Sequence, residues 1–254
     1  MEIEDVPMRL EWIPANATQP VVMPLLEVDA GVADAVIGGE PVRTPAFFKG
    51  QSSKPGWYWM ASTGRLVSYE SKFERDFLMG ADFAGNVTAV LPQPLRLHFE
   101  RQERPKSHVP DYLLALADGG RVLVDVKGAR ARSKPLNQVT FTLTQRACDA
   151  LAWQFHVFTE PNPVYKENLL FLAGYRNRRY TLLDVHLPVL ATVVTDQDLP
   201  VTTVVDKVAA AADLPVGVAA AVLWRGVWTK VVTVPMGVPL NDATPVSLAV
   251  AGVL

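Results

Sequence analysis

Residues 109–127, VPDYLLALADGGRVLVDVK, decide how the rest of this chain is read. Two apolar, strand-like runs flank Asp118-Gly119-Gly120, which predicts a β-hairpin with its turn at those residues. Asp111 opens the first run, Asp125 closes the second, and Lys127 follows two residues later. Side chains alternate across a strand, so Asp125 and Lys127 share a face with Leu123. A three-residue loop at 118–120 pairs Ala117 with Arg121. It sets Asp111 opposite Lys127 and diagonal to Asp125, with β-carbons roughly 5–8 Å apart. Two acids and an amine crowded at one end of an apolar hairpin need a reason, and a bound divalent cation supplies one.

The 254 residues allow one large domain or two modest ones, each with ample core. Hydrophobic residues at 49% and charged residues at 20% are ordinary for a globular chain. The first residues, MEIEDVPMRLEW, have neither a basic segment nor an apolar one, so no secretory signal is expected. The longest apolar stretch, 208–224, is broken by Asp213, Pro215 and Gly217, which argues against a membrane span. Cys148 is the single cysteine and lies in a helix-like run. It reads as a small buried hydrophobe in a reducing, cytoplasmic setting. A net charge of −2 argues against non-specific coating of nucleic acid. The distribution says more: Lys127, Arg130, Arg132, Lys134 and Arg146 are basic, and no acid interrupts 127–146. A phosphate backbone bound at the acidic hairpin would have to lie along this stretch. Arg176, Arg178 and Arg179 form a second cluster between Tyr175 and Tyr180, with solvated surface as the competing reading.

Residues 1–55 are proline-rich and lack sustained periodicity, so they read as an extended arm. A short hairpin is expected around Ser62-Thr63-Gly64. A helix over 69–79 follows, with Phe73, Phe77 and Leu78 on one face and Gly80 as its stop. Residues 87–99 read as an extended segment kinked at Pro92 and Pro94. After the hairpin come a helix over 141–153 and a strand over 155–159. Helix, three strands, helix, strand implies an α/β domain over 56–174: a mixed sheet with helices on its faces. The remainder, 175–254, reads differently. Helices at 203–212 and 216–224 joined by a tight turn, a strand over 228–234 and a loop over 239–245 suggest a small winged-helix-like module.

Metal-assisted phosphodiester hydrolysis needs carboxylates to hold one or two Mg²⁺ ions and a cation to offset charge on the phosphorane. Hard oxygen ligands select Mg²⁺ or Mn²⁺, and no His/Cys set suggests zinc. A third acid usually comes from outside the hairpin, and Glu74 on the first helix is the candidate. Pro110-Asp111, thirteen residues, then Asp125-Val126-Lys127 resembles the PD-(D/E)xK nuclease motif. YESKFERDFLMGADF (69–83), QP (93–94), HVPDYLL (108–114) and VDVKGARAR (124–132) together resemble the TnsA-like endonuclease subunits of heteromeric transposons. WQFHVFTE (153–160) and NLLFLAGYR (168–176) extend the likeness across most of 45–180.

That resemblance implies a PD-(D/E)xK restriction-endonuclease-like core followed by the winged-helix-like module. It implies cleavage at transposon 5′ ends beside a TnsB-like DDE transposase, with a TnsC-like AAA+ ATPase regulator as a further partner and no membrane. By position Glu74, Asp111, Asp125 and Lys127 would be the active site. The first three would hold Mg²⁺, with Mn²⁺ as a substitute, and Arg130, Arg132 and Lys134 would contact DNA. Some members carry glutamine where this chain has Asp125. A restriction- or repair-type nuclease acting alone, and a non-catalytic adaptor with the same fold, are the rival readings.

Each candidate has a plainer role. Ser71-x-x-Glu74 is a capping-box spacing, in which the glutamate only closes a helix N-terminus, and Glu70 is an alternative metal ligand. Asp125 with Lys127 could be a surface ion pair worth under about 1 kcal/mol. His108 reads as an exposed loop histidine that could instead touch a phosphate or help shape the metal site, and Gln93 has no derivable role. Residues 216–224, VGVAAAVLW, offer nothing that reads bases, so that helix serves packing or partner docking, with Trp224 and Trp228 as anchors.

Overall fold

The computed structural model describes residues 6–44, 54–195 and 198–249. Within them the chain is mixed α/β, with thirteen strands and eight α-helices. It divides into two compact units: Met1–Leu78 with Asn86–Glu160, and Met79–Gly85 with Pro161–Leu254.

The first unit opens with β1 (Met8–Trp12), β2 (Val21–Pro24) and α1 (Ala30–Ile37). The described part of the expected N-terminal arm is therefore folded. Met8, Leu10 and Trp12 alternate into the core, and β1 pairs antiparallel with both β2 and a strand some ninety residues later. Prolines flank these short elements and hide their period-2 signal. Next come β3 (Gly56–Met60) and β4 (Arg65–Tyr69), the expected hairpin, with Gly64 at φ +65° in its turn. The helix α2 (Lys72–Ala84) runs past its predicted stop. Gly80 is simply carried inside it, and Gly85, at φ +81°, takes the left-handed position that ends it.

The expected single extended segment splits into β5 (Val87–Pro92) and β6 (Arg96–Phe99), which join different sheets. The break is Gln93, at φ +46° between two prolines. Then follow β7 (Ser107–His108), β8 (Tyr112–Leu116), β9 (Arg121–Val126), the single turn α3 (Ala129–Arg132), α4 (Pro135–Ala150) and β10 (Gln154–Phe158). Helix α4 starts six residues earlier than expected because Pro135 is preset for the first helical position.

Two four-stranded sheets result, β2-β1-β6-β7 and β10-β9-β8-β5. In the second, β5, β8 and β9 are antiparallel neighbours and β10 lies parallel to β9, which α4 makes possible as the crossover. Strand alternation sorts its side chains. Leu113 and Leu123 face the core shared with the N-terminal sheet and with Leu143, Ala147 and Cys148 of α4. Tyr112 faces the other way, stacked on Phe77 of α2 at 5.5 Å. Asp111 and Asp125, two residues from Leu113 and Leu123, thus belong to the α4 face.

The second unit holds the end of α2, α5 (Pro163–Leu172), 3-10 turns at Ala173–Arg176 and Arg178–His186, and α6 (Leu187–Val193). It continues with β11 (Leu199–Pro200), α7 (Val201–Ala212), α8 (Val216–Trp228), β12 (Val232–Thr233) and β13 (Pro245–Leu248), the sheet order being β11-β13-β12. Apart from Met79–Gly85, this unit runs from Pro161. The helix predicted to stop at Trp224 continues to Trp228 and shortens the following strand, because Val227 and Trp228 are buried as the next helical turn. Arg225 is buried as well, bidentate to Asp184 at 2.8 and 3.0 Å and donating to the Tyr175 carbonyl. It supports the 3-10 segment and offers nothing to a DNA groove. Among the described residues no single helix is long and apolar enough to cross a membrane.

Candidate active site

The hairpin turn sits one residue earlier than the sequence suggested. The Gly119 amide donates to Leu116, the Leu116 amide donates to Gly120, and Gly119 stands at φ +88°. The loop is Ala117-Asp118-Gly119, a turn closed by a left-handed glycine. Asp118 instead accepts from the Gly120 amide at 2.8 Å. Ala115, not Ala117, pairs with Arg121, and Tyr112 pairs with Val124, two residues out of the predicted register. Asp111 is therefore not across from Lys127. A shift of two leaves every side chain on its predicted face, whereas a shift of one would have inverted them.

The charged groups still converge. Lys127 Nζ is 3.3 Å from Asp111 Oδ2 and 3.6 Å from Asp125 Oδ1. Asp111 Oδ2 also accepts from the Val126 amide at 2.6 Å, which ties the start of β8 to the end of β9. Asp125 is fully buried, with Oδ2 2.7 Å from His108 Nε2 and Oδ1 lacking any hydrogen-bond partner. Burial pushes Asp111 up to about 6, and the charges of Asp125 and Glu74 add to this; Lys127 and the Val126 amide oppose it. Burial alone would lower the Lys127 ammonium, but Asp111 and Asp125 outweigh it and raise it. Lys127 is thus held as a cation and is no general base. Asp111 and Lys127 line a cleft of about 530 Å³ with Arg43, Glu70, Glu74, Arg96, His108 and, from α4, Asn137, Thr140 and Phe141; Asp125 lies buried behind them.

Glu74 lies in the first turn of α2 and makes the capping box. Its amide donates to Ser71 Oγ at 3.1 Å, while its carboxylate accepts from the Glu70 amide and the Ser71 hydroxyl at 2.8 Å each. The Tyr112 hydroxyl adds a longer contact at 3.3 Å and donates to the Ser68 carbonyl at 3.0 Å. Burial and the Glu74 charge raise that phenol well above its ordinary value, so it stays a donor. Glu74 lines the cleft from the α2 side, with its oxygens already engaged.

Sequence reasoning left Gln93 and Arg43 without a role and took His108 for an exposed loop residue. Gln93 is buried, donates to Glu70 at 2.7 Å and accepts from Arg43 Nε at 2.7 Å; Arg43 also forks onto Glu70 at 2.9 Å. The Gln93 amide donates to the Asp111 carbonyl at 2.8 Å. The network thereby fixes the backbone that carries Asp111. His108 sits on β7 and holds Asp125 from the neighbouring sheet. The sequence signals were the kink at Pro92 and Pro94 and the possibility that His108 shapes a metal site. Arg130, Arg132 and Lys134 are exposed around α3, next along the chain from Lys127 but outside the cleft lining.

Among the described residues no group of three or more His, Cys, Asp or Glu side chains is gathered to hold a metal ion. The remaining donors nevertheless suit Mg²⁺, which takes one or two carboxylates and completes its shell with water and substrate phosphate oxygens. Asp111 and Asp125 would supply the pair; among the described residues the buried Asp125 Oδ1 accepts no hydrogen bond and has only the Lys127 ammonium at 3.6 Å, so a cation would satisfy it. Comparison with protein-family models finds no match, and comparison with curated protein sequences finds no significant one.

Proposed function

We propose that this chain is a Mg²⁺- or Mn²⁺-dependent DNA endonuclease of the PD-(D/E)xK kind, acting as the TnsA-like subunit of a heteromeric transposase in the cytoplasm. One observation carries the nuclease reading: at the end of β9, Lys127 Nζ lies within 3.6 Å of both Asp111 and the buried Asp125, and Asp111 and Lys127 open onto a polar cleft. The order α2-β5-β8-β9-α4-β10, with β10 parallel to β9, supports the fold. In the second unit α6-β11-α7-α8-β12-β13 with β13 between β11 and β12 supports the winged-helix-like module.

Asp111 and Asp125 hold the cation, with Glu74 contributing charge from α2. When bound, the cation polarises the phosphate and favours an attacking hydroxide. Lys127, kept charged by its two carboxylates, donates to a non-bridging phosphate oxygen and offsets the negative charge that builds there. His108 and the Gln93 network keep both aspartates fixed. Arg130, Arg132 and Lys134 meet flanking phosphates. The substrate is a transposon end, cut on the 5′ side while a TnsB-like DDE recombinase cuts the other strand; a TnsC-like ATPase regulates the pair.

The test is cleavage of a labelled transposon-end duplex in Mg²⁺, with and without the neighbouring recombinase. Cutting only with the partner, and none with Asp125→Ala, is the expected result. Efficient cutting of any duplex without the partner contradicts the transposase assignment and favours a nuclease acting alone. A second reading, a non-catalytic adaptor, is favoured by the capping role of Glu74. Absence of cutting under every condition, with DNA and partner binding intact, would establish it.

A further inference from the structure

A second groove lies on the other side of Phe141. It occupies about 610 Å³ between the exposed face of α4 and the sheet-edge strand β10, and is lined by Arg132, Gln138, Gln145, Arg146 and His156 around a floor of Phe141 and Phe155. No acidic side chain lines it among the described residues. Its donors are the guanidinium groups of Arg132 and Arg146, the second of which already has a partner within the fold, and two amides. Gln138 gives one N–H to the Arg132 carbonyl at 2.6 Å and Gln145 one to Asp149 at 2.7 Å, which leaves each amide a second hydrogen. Burial and the neighbouring Arg132 keep His156 below its usual range, so near neutral pH the imidazole is uncharged beside the arginines. The groove is too open and too polar for an apolar ligand. Arginine forks with neutral amide donors are what a phosphate oxyanion needs.

Its place in the fold says which phosphate. Phe141 lines both this groove and the cleft of Asp111 and Lys127, and packs on Phe155 at 6.2 Å as the wall between them. From Asn137, in the catalytic cleft, to Gln145, in the groove, α4 advances about 12 Å. At roughly 3.4 Å per nucleotide along a duplex strand, that distance spans three or four nucleotides. We propose that the groove between α4 and β10 is a phosphate-binding subsite: Arg132 and Arg146, assisted by Gln138 and Gln145, grip the DNA backbone a few nucleotides from the scissile phosphate. This deepens the endonuclease reading and rests on it. It also gives Arg146, the last basic residue of the 127–146 run, a specific place on the backbone.

The test is the salt dependence of binding to a labelled random-sequence duplex without divalent cation, between 50 and 200 mM NaCl, for wild type and Arg132→Gln/Arg146→Gln. Each phosphate contact contributes about 0.9 to the logarithmic salt slope. The double variant should therefore show a slope shallower by about 1.8, and the advantage of wild type should shrink roughly tenfold between the two salt concentrations. Because Arg132 is exposed, the single Arg132→Gln variant gives half of that change without threatening the fold. Tight wild-type binding with an unchanged slope in both variants overturns the subsite and leaves the nuclease reading standing. Failure of the wild type to bind duplex even at 50 mM NaCl overturns the subsite, and the nuclease reading is then judged by the partner-dependent cleavage described above.

Discussion

Asp111→Asn should remove one contribution to the pH dependence of stability in the cation-free protein, and the size of the effect follows from the site. Asp111 is raised from 3.8 to about 6, chiefly by burial. An acid whose folded pKa is raised binds a proton in the folded state that the unfolded chain has already released. Stability is therefore greatest below the unfolded value and is lost as pH rises from about 4 to about 6, after which it is flat. A shift of about two units at about 1.4 kcal/mol each amounts to roughly 3 kcal/mol. Asparagine can still accept from the Val126 amide but cannot titrate. Urea denaturation in EDTA from pH 4 to 7.5 would read the wild-type minus Asp111→Asn difference at each pH. That difference should move against the wild type by roughly 2–3 kcal/mol across the window and then level off. Adding Mg²⁺ at pH 7.5 should restore wild-type stability and leave the variant unmoved. A difference that stays flat with pH, or rises in favour of the wild type, refutes the account of Asp111.

Glu74→Gln should keep the capping box, because glutamine serves equally at that position, and Mn²⁺ affinity measured by calorimetry should stay within about tenfold of wild type. Ser71→Ala should cost about 1 kcal/mol in denaturation through loss of the cap, with the same small effect on cation affinity. His108→Ala strips the 2.7 Å hydrogen bond from buried Asp125 Oδ2 and should cost about 1–3 kcal/mol, visible as a lower melting temperature. Cys148, pushed up to about 12 by burial, should resist a thiol reagent at pH 8 in the folded protein and react at once in urea.

What was legible in the sequence was local. Alternating apolar runs around Gly119 announced the hairpin, and parity alone put Asp111, Asp125 and Lys127 on the intended face even though the register was two residues off. The exact loop was illegible because Asp118-Gly119-Gly120 offers two glycines for one left-handed position, and only packing chooses between them. The N-terminal sheet was missed because β1 pairs with β6, and nothing in either short strand names so distant a partner. Glu74 could be read as ligand or cap from the same spacing; side-chain geometry, not sequence, separates the two. The Arg43–Gln93–Glu70 network was invisible for the same reason, since it joins residues from three separated segments. The extension of α8 to Trp228 follows from burial, which overrode a strand-like composition.

Mn²⁺ binding by electron paramagnetic resonance at pH 7.5 tests the central claim most directly, with wild type, Asp111→Asn and Asp125→Asn compared. The account predicts one bound ion in the wild type and loss of that site in both variants, since each aspartate supplies half of the protein's ligand set. Binding that is absent in wild type, or unchanged when Asp125 is replaced, would contradict it.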